Sequence, residues 1–351
     1  MKKTLIAVAA LSAMAASAMA ANVTVYGKLD QGFQVNSVKA DGMDRETTFS
    51  ATSGISSGSR WGLKGTEEIA DGYTVGFVLE SGFDSYTGKS GQGSRLFGRD
   101  AFLTVGTPFG QLTLGRTGML SDGCTGDIIA GQSSPFGTSY GIAAATKNTF
   151  GDVLGGRTDR AVRYVSPKFA GAQFHAEYAN MTGEAKQPNK QRYGGVGVSY
   201  ANGPFYVAVA AETIRQAADS ADKDAKFFSL AANYDFGVAK IFAGYQYAKD
   251  TKPSKDLDVA FNKYNAGTLG VSAPIAAGTL MASVAYRKGD FDMASVNIDV
   301  KQMTGALGYK YSLSKRTYLY TDVAYTELKV EAAATSKVKE TQFNVGICHN
   351  F

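Results

Sequence analysis

The stretch Thr341-Gln342-Phe343-Asn344-Val345-Gly346-Ile347-Cys348-His349-Asn350-Phe351 decides the fold class. Phe343, Val345, Ile347, His349 and Phe351 share one parity, and Gln342, Asn344, Gly346, Cys348 and Asn350 share the other. A period of two belongs to a half-buried strand, because successive side chains point to opposite faces. The pattern recurs upstream. Residues 302–311 set Met303, Leu307, Tyr309 and Tyr311 against Gln302, Thr304 and Lys310. Residues 279–288 set Leu280, Ala282, Val284 and Tyr286 against Ser283 and Arg287. Residues 238–249 set Ile241, Ala243, Tyr245 and Tyr247 against Lys240 and Gln246.

The separators alternate between short and long. Seven short ones fall at 70–72, 107–110, 166–171, 201–204, 235–237, 273–278 and 312–315. Eight long polar ones fall at 37–57, 85–93, 119–156, 181–190, 215–224, 250–261, 289–299 and 331–337. Together they join sixteen strands, the first at 23–36 and the last at 338–351. A soluble sandwich alternates too, but three features point to a membrane barrel. Aromatics stand near strand ends (Tyr26, Phe169, Phe205, Tyr311, Phe351), as in an interfacial girdle. Short turns on one side and long loops on the other match the periplasmic and extracellular rims. The inward parity is polar, so the interior is wet. An open sheet edge cannot face lipid, so the strands close. The expected fold is all-β, a 16-stranded antiparallel transmembrane β-barrel wide enough for an aqueous channel.

Composition agrees. Only 19% of residues are charged and 44% are hydrophobic, while 41 of 351 are glycine. Two cysteines and two histidines argue against a disulfide scaffold or a zinc site. The one long apolar segment is N-terminal. Lys2 and Lys3, the apolar run Leu5 to Leu11 and Ala18-Met19-Ala20 form a signal-peptide pattern with cleavage after Ala20. The expected division is a signal peptide at 1–20 and a barrel at 21–351. Losing Lys2 and Lys3 takes the side-chain net charge from +5 to +3, so no nucleic-acid partner is implied.

Several stretches resemble the trimeric general porins of Gram-negative bacteria, above all those of Burkholderia- and Neisseria-type organisms. Val23-Thr24-Val25-Tyr26-Gly27-Lys28-Leu29-Asp30 is similar to the family's first strand, and Ser59-Arg60-Trp61-Gly62-Leu63-Lys64-Gly65-Thr66-Glu67-Glu68 to its second. Leu112-Thr113-Leu114-Gly115-Arg116 resembles the strand entering its third loop, and Tyr311 to Thr317 a late periplasmic turn. The resemblance implies a homotrimer in the outer membrane that passes small hydrophilic solutes and ions by diffusion, with no cofactor or metal and no enzymatic activity. It implies a third loop, here 119–156, folded into the barrel opposite a wall of arginines. By motif Arg60 and Arg116 match that wall, with Arg157 just after the loop and Arg160 as the fallback. It also implies an insertion signal at Phe351. The enterobacterial loop stretch Pro-Glu-Phe-Gly-Gly is reduced here to Ser134-Pro135-Phe136-Gly137 without the glutamate. Asp122, Asp127 and Asp152 remain as loop acids, the first two being the candidates for its acidic side.

Strand parity adds its own reading. Arg60 and Lys64 lie four apart on one face, and Arg163 alternates with the lipid-type residues Val162 and Tyr164. Arg116 shares parity with Leu112 and Leu114, so a bulge or strand end is needed to turn it inward. Arg99 shares parity with Phe97, Ala101 and Leu103, which leaves its face open. Basic residues in a low-dielectric pore concentrate anions, so a weakly to moderately anion-selective channel is expected. The plainer reading, a side chain that only keeps the lumen wet, is preferred for Lys64 and Arg163. Gly54-Ile55-Ser56-Ser57-Gly58 matches G-x-S-x-G, but a nucleophile elbow needs a strand before it and a helix after it. Two other classes stay in view: a barrel hydrolase, needing a Ser, His and acid together, and an adhesion barrel acting through its loops. Cys124 and Cys348 could pair only if their Cα atoms approached within about 7 Å.

Overall fold

The computed structural model describes residues 23–122, 124–144, 156–180, 192–215, 223–251, 260–293, 296–332 and 334–351. The expected signal peptide and Asp152 lie outside the described residues. Among these residues seventeen strands form one closed antiparallel sheet. They are β1 (Thr24–Ala40), β2 (Glu46–Ser53), β3 (Arg60–Ala70), β4 (Tyr73–Gly82), β5 (Asp100–Thr107), β6 (Gly110–Gly118), β7 (Arg157–Val165), β8 (Ala172–Asn180) and β9 (Arg192–Asn202). Then follow β10 (Phe205–Arg215), β11 (Ala225–Asp235), β12 (Lys240–Lys249), β13 (Lys263–Ile275), β14 (Gly278–Met293), β15 (Val296–Ser312), β16 (Thr317–Glu331) and β17 (Thr335–Asn350).

Seventeen strands make sixteen staves. β2 pairs with residues 31–38 of β1, and β3 pairs with residues 24–28 of the same strand. They are two halves of one stave, interrupted at 54–59. The interruption folds inward on the carboxylate of Asp30, which accepts from the Ser56 N–H (3.0 Å), the Ser57 N–H (2.7 Å) and the Ser56 hydroxyl (2.5 Å). The Tyr320 hydroxyl donates to the other oxygen at 2.6 Å. The G-x-S-x-G match is therefore a lumen turn. The imidazoles are elsewhere, His175 bonded to Ser199 and His349 to Thr317.

Closure joins the ends of the chain. β1 and β17 pair from Lys28↔Asn350 to Ala40↔Val338, and Gly27 and Phe351 exchange both backbone hydrogen bonds at 3.0 Å. Opposed residues of an antiparallel pair share a face. Val25, Leu29, Phe33, Val345 and Ile347 are exposed on the outside, while Asp30, Gln246 and Asn344 are fully buried inside. This is the inside-out arrangement that a lipid solvent selects. Tyr26 departs from the expected girdle: it pairs with Gly62 on the inward face and donates to Glu80 at 3.0 Å. The other girdle aromatics, Phe169, Phe205, Tyr311 and Phe351, are exposed.

All seven short turns stand where the sequence placed them. Three long loops do not. Residues 37–57 contain the end of β1 and all of β2, with a turn at 41–45. Residues 289–299 are mostly the ends of β14 and β15, and 331–337 those of β16 and β17. Above the membrane the outer face is wet, so the apolar-polar alternation fades while the backbone ladder continues. Inside this raised rim, Phe261, Tyr264, Phe291, Ile298 and Val300 form an apolar cluster packed by Leu328 and Val330.

Candidate functional site

The third loop runs inside the barrel. Its root is fixed by a buried ion pair: Arg163 Nε donates to Glu177 Oε2 at 2.8 Å, and a second guanidinium nitrogen bonds the same carboxylate. Thr158 donates to the other Glu177 oxygen at 2.8 Å. The remaining donors of Arg163 hold the loop, one on Thr125 O at 2.9 Å and one on Gly118 O. Next, the Leu120 N–H donates to the Tyr193 hydroxyl (3.2 Å), which donates to Glu212 (2.6 Å). Tyr206 then holds Ile128 O (2.8 Å) and Asn233 holds Gln132 O (3.0 Å). At the far side Gln342 accepts from the Ile142 N–H at 3.1 Å, and Tyr140 packs edge-on against Phe136 and Tyr320. The Tyr140 N–H donates to Ile55 O at 2.6 Å, which joins the loop to the inward turn of the broken stave.

Inward glycines provide the seat. A Cβ on Gly197 would meet Ile128 at 2.8 Å, one on Gly270 would meet Pro135 at 2.4 Å, and one on Gly308 would meet Phe136 at 2.7 Å. Gly305, on the outward parity of the same strand, has nothing within 4 Å. We therefore expect Gly308→Ala to displace Phe136 and destabilise the barrel by about 1–3 kcal/mol, as overpacking does. Gly305→Ala is expected to be neutral. Urea midpoints of the two variants in detergent check the contrast, and equal midpoints would refute the seat.

Lys28 on β1 and Arg60 and Lys64 on β3 stay at least partly exposed on the inner wall, and there the basic side chains gather. Arg60 pairs across from Lys28 on the lumen face and Lys64 across from Thr24. Arg60 donates to Ser57 (2.6 Å) and lies 3.7 Å from Glu80, while Arg99 Nε donates to Glu80 at 2.5 Å. Arg99 thus joins the lumen cluster. It precedes β5, so strand parity does not govern it, and its long side chain swings to the carboxylate. Arg157, at the start of β7, lies within electrostatic reach of Arg60, Arg99 and Asp100. Its buried Nε makes no hydrogen bond to any described residue. Lys64 lies lower, its ammonium 5.1 Å from the centre of the Tyr26 ring.

Five expected site residues are placed otherwise. Arg163 is only 4% exposed, so it tethers the loop and lines no open water. Arg116 keeps its outward parity: it pairs with Ala101 beside the exposed pair Leu103↔Leu114. The expected bulge exists, but β7 carries it, where Asp159 and Arg160 together oppose Arg116. Arg116 donates to Asp159 at 2.7 Å, and Arg95 to the same carboxylate at 2.8 Å. Arg160 is exposed in the bulge with a left-handed φ of 53°. Asp127 caps a short 3₁₀ turn (Ala130–Gln132), its carboxylate accepting from the N–H groups of Ile129 (2.9 Å), Ala130 (2.9 Å) and Gly131 (2.6 Å). Asp122 is buried near Gly156.

Strand parity did not single out Glu80 and Asp100, nor Lys28 and Asp30. All four stand on inward parities that the alternation already defines. Cys124 and Cys348 are both free thiols, the first in the third loop and the second buried on β17. Burial pushes the Cys124 thiol up to about 11, so it stays neutral beside Arg157 at ordinary pH.

Comparison with known proteins bears on this geometry. A family model described as Gram-negative porin matches residues 7–331. The chain is 33% identical over 406 residues to an outer membrane porin protein of Bordetella pertussis, with both chains covered in full. It is 29% identical to outer membrane porin protein 32 of Delftia acidovorans, again over the whole of both. Among solved structures, an anion-selective porin from Comamonas acidovorans superposes with a TM-score of 0.67 at 26% identity, covering 94% of this chain and all of that one. The trimer form of OmpT from Vibrio cholerae superposes with a TM-score of 0.67 at 18% identity, over 95% of this chain and all of that one, a likeness of fold.

Proposed function

Because this chain belongs to the Gram-negative porin family, we propose that it forms a water-filled outer-membrane channel through which small hydrophilic anions diffuse in preference to cations. The relatives are porins, which are channels rather than enzymes. The observation that carries the anion preference is the lumen cluster of Lys28, Arg60, Arg99 and Arg157 on the wall that the third loop leaves open. Glu80, Asp30 and Asp100 offset part of this charge, acting on Arg99, Lys28 and Arg157 in turn, and leave the cluster one positive charge in excess. Across the lumen, Asp127 spends its carboxylate on three backbone N–H groups. A residual positive potential between low-dielectric walls raises the local anion concentration.

The working unit in this proposal is a homotrimer. The outward Arg95–Asp159–Arg116 network supports it, since a charged network set toward lipid is costly unless another polar surface covers it. A neighbour of the same fold is described in a trimer form. Residues 1–20 act as the export signal, and Phe351 as the insertion signal. That phenylalanine is exposed on the outer face at the seam, where a recognition factor reaches it.

Planar bilayers test the reading. Stable conductance steps, grouped in threes, are expected, with a reversal potential in a potassium chloride gradient that favours chloride. A silent bilayer would overturn the channel, and a cation preference would overturn the role of the arginine wall.

A further inference from the structure

We propose that the inward turn at 54–59 is a second constriction element of the channel, in which Asp30 is a positioning residue, Ile55 fixes the far end of the third loop, and the Ser57 hydroxyl sets two of the cations that meet a permeating anion. The inference rests on the anion-channel reading above. Each residue of Gly54-Ile55-Ser56-Ser57-Gly58 has a contact that serves it. Gly54 enters the turn with a left-handed φ of 76°, and a Cβ there would meet the Gly58 Cα at 2.8 Å. Ile55 is buried in one apolar cluster with Phe136, Tyr140 and Ile142 of the third loop, and its carbonyl accepts from the Tyr140 N–H. Ser56 stands between Asp30 (2.5 Å) and the Tyr318 hydroxyl (2.9 Å). Ser57 Oγ accepts from Lys28 Nζ at 3.1 Å and from Arg60 Nη2 at 2.6 Å. Gly58 leaves room for Arg99, since a Cβ there would lie 3.3 Å from its Nη1.

These contacts close a ring. The loop crosses from its root at Arg163 to Tyr140, where Ile55 receives it. The turn carries the perimeter on to Lys28 and Arg60, which stand opposite each other on β1 and β3. Arg99 and Arg157 continue the wall back to the loop. Asp30 pins the turn: its fully buried carboxylate takes two N–H groups and one hydroxyl from the turn, with the Tyr320 hydroxyl on the other oxygen. Ser57 has a separate task. Two like charges held on one oxygen repel, and each has a carboxylate to retreat to. Arg60 lies 3.7 Å from Glu80, and Lys28 is within electrostatic reach of Asp30. The hydroxyl holds both cations away from those carboxylates, on a part-exposed stretch of the wall. Its two lone pairs are taken by these bonds, which leaves its proton to donate to a passing anion.

The test uses the full chain in planar bilayers, with single-channel conductance reporting the aperture and the reversal potential in a potassium chloride gradient reporting selectivity. Asp30→Asn removes an acceptor oxygen, and Asp30→Glu keeps the charge but moves it by one methylene. Both are expected to free the turn and raise conductance at least about 1.3-fold, with added noise, because pore diameter sets the flow. Ile55→Ala, which touches no charge, is expected to do the same. Ser57→Ala is expected to let the two cations fall back on Glu80 and Asp30. One cation retreating from about 6 to about 8 Å from the ion path, at an effective dielectric near 40, lowers the anion-to-cation permeability ratio about threefold. Ser57→Thr, which restores the hydroxyl, is expected to recover the ratio of the unaltered chain. A conducting variant is a folded one, and where an Asp30 variant does not conduct, Ile55→Ala decides the aperture. Unchanged conductance in Ile55→Ala overturns the link from turn to loop. Unchanged conductance in Asp30→Glu, with a shifted reversal potential in Asp30→Asn, shows Asp30 acting by charge alone and overturns its positioning role. A ratio that stays put in Ser57→Ala, or falls equally in Ser57→Thr, overturns the role of the hydroxyl. A cation preference in the unaltered channel would overturn the anion reading itself, while the conductance results would still decide the constriction.

Discussion

Arg157→Glu is expected to reverse the ion preference of the channel, changing the sign of its reversal potential in a salt gradient. The buried Nε of Arg157 makes no hydrogen bond to a described residue, while Arg60 and Arg99 share Glu80. One unit charge about 6 Å from a permeating ion, at an effective dielectric near 40, changes its energy by about 1.4 kcal/mol, roughly tenfold in local concentration. Exchanging a positive for a negative charge doubles that change, and screening at moderate salt returns part of it. Because the anion and the cation respond in opposite senses, a shift of at least about tenfold in the anion-to-cation permeability ratio is expected even after screening. Arg116→Gln is expected to leave the ratio where it was, because Arg116 faces outward on Asp159. An unchanged reversal potential in the first variant, or a large shift in the second, would reverse their assignments.

Arg163→Met is expected to have the largest effect on stability, about 3–5 kcal/mol, because it leaves the fully buried Glu177 charge without its partner. The same change releases the carbonyls of Gly118 and Thr125 at the loop root, so single-channel conductance is expected to rise and become noisy. The double variant Arg163→Met, Glu177→Leu separates the two roles. Removing both charges recovers much of the stability, but nothing then holds the loop carbonyls, and conductance remains high and noisy. If the double variant regained both stability and quiet gating, the arginine would be a partner of Glu177 and no tether. Urea midpoints and single-channel records together decide.

Most of the barrel was legible because lipid and water impose opposite demands on alternate residues of each strand. The β17 stretch carries that contrast without interruption, and every short turn follows from where it lapses. The raised hairpins of β14–β17 read as loops in the sequence because, above the membrane, Lys301, Lys329 and Glu331 occupy positions that Leu307 and Val323 occupy below. The same parity explains the mixed reading of the site. Arg60 and Arg163 both face inward, but only the path of the third loop separates an open wall from a covered one. Three contacts across the lumen define that path, with Tyr206, Asn233 and Gln342. Parity leaves the face of Arg99 open because it sits just outside a strand. The bulge needed for Arg116 is present, but on β7, and it turns Asp159 toward the arginine without turning the arginine inward.

The loop's far end has a consequence for how the protein is made. Among the described residues, its far anchors, Ile142 on Gln342 and Tyr140 on Tyr320, belong to β17 and β16, while its root belongs to β6 and β7. β17 is also the strand that seals the sheet against β1. The aperture therefore has no defined width until the final strand has docked, and the longest-range contacts of the chain form last. A half-assembled barrel is an ungauged opening in the making; the step that completes the wall is also the step that calibrates it.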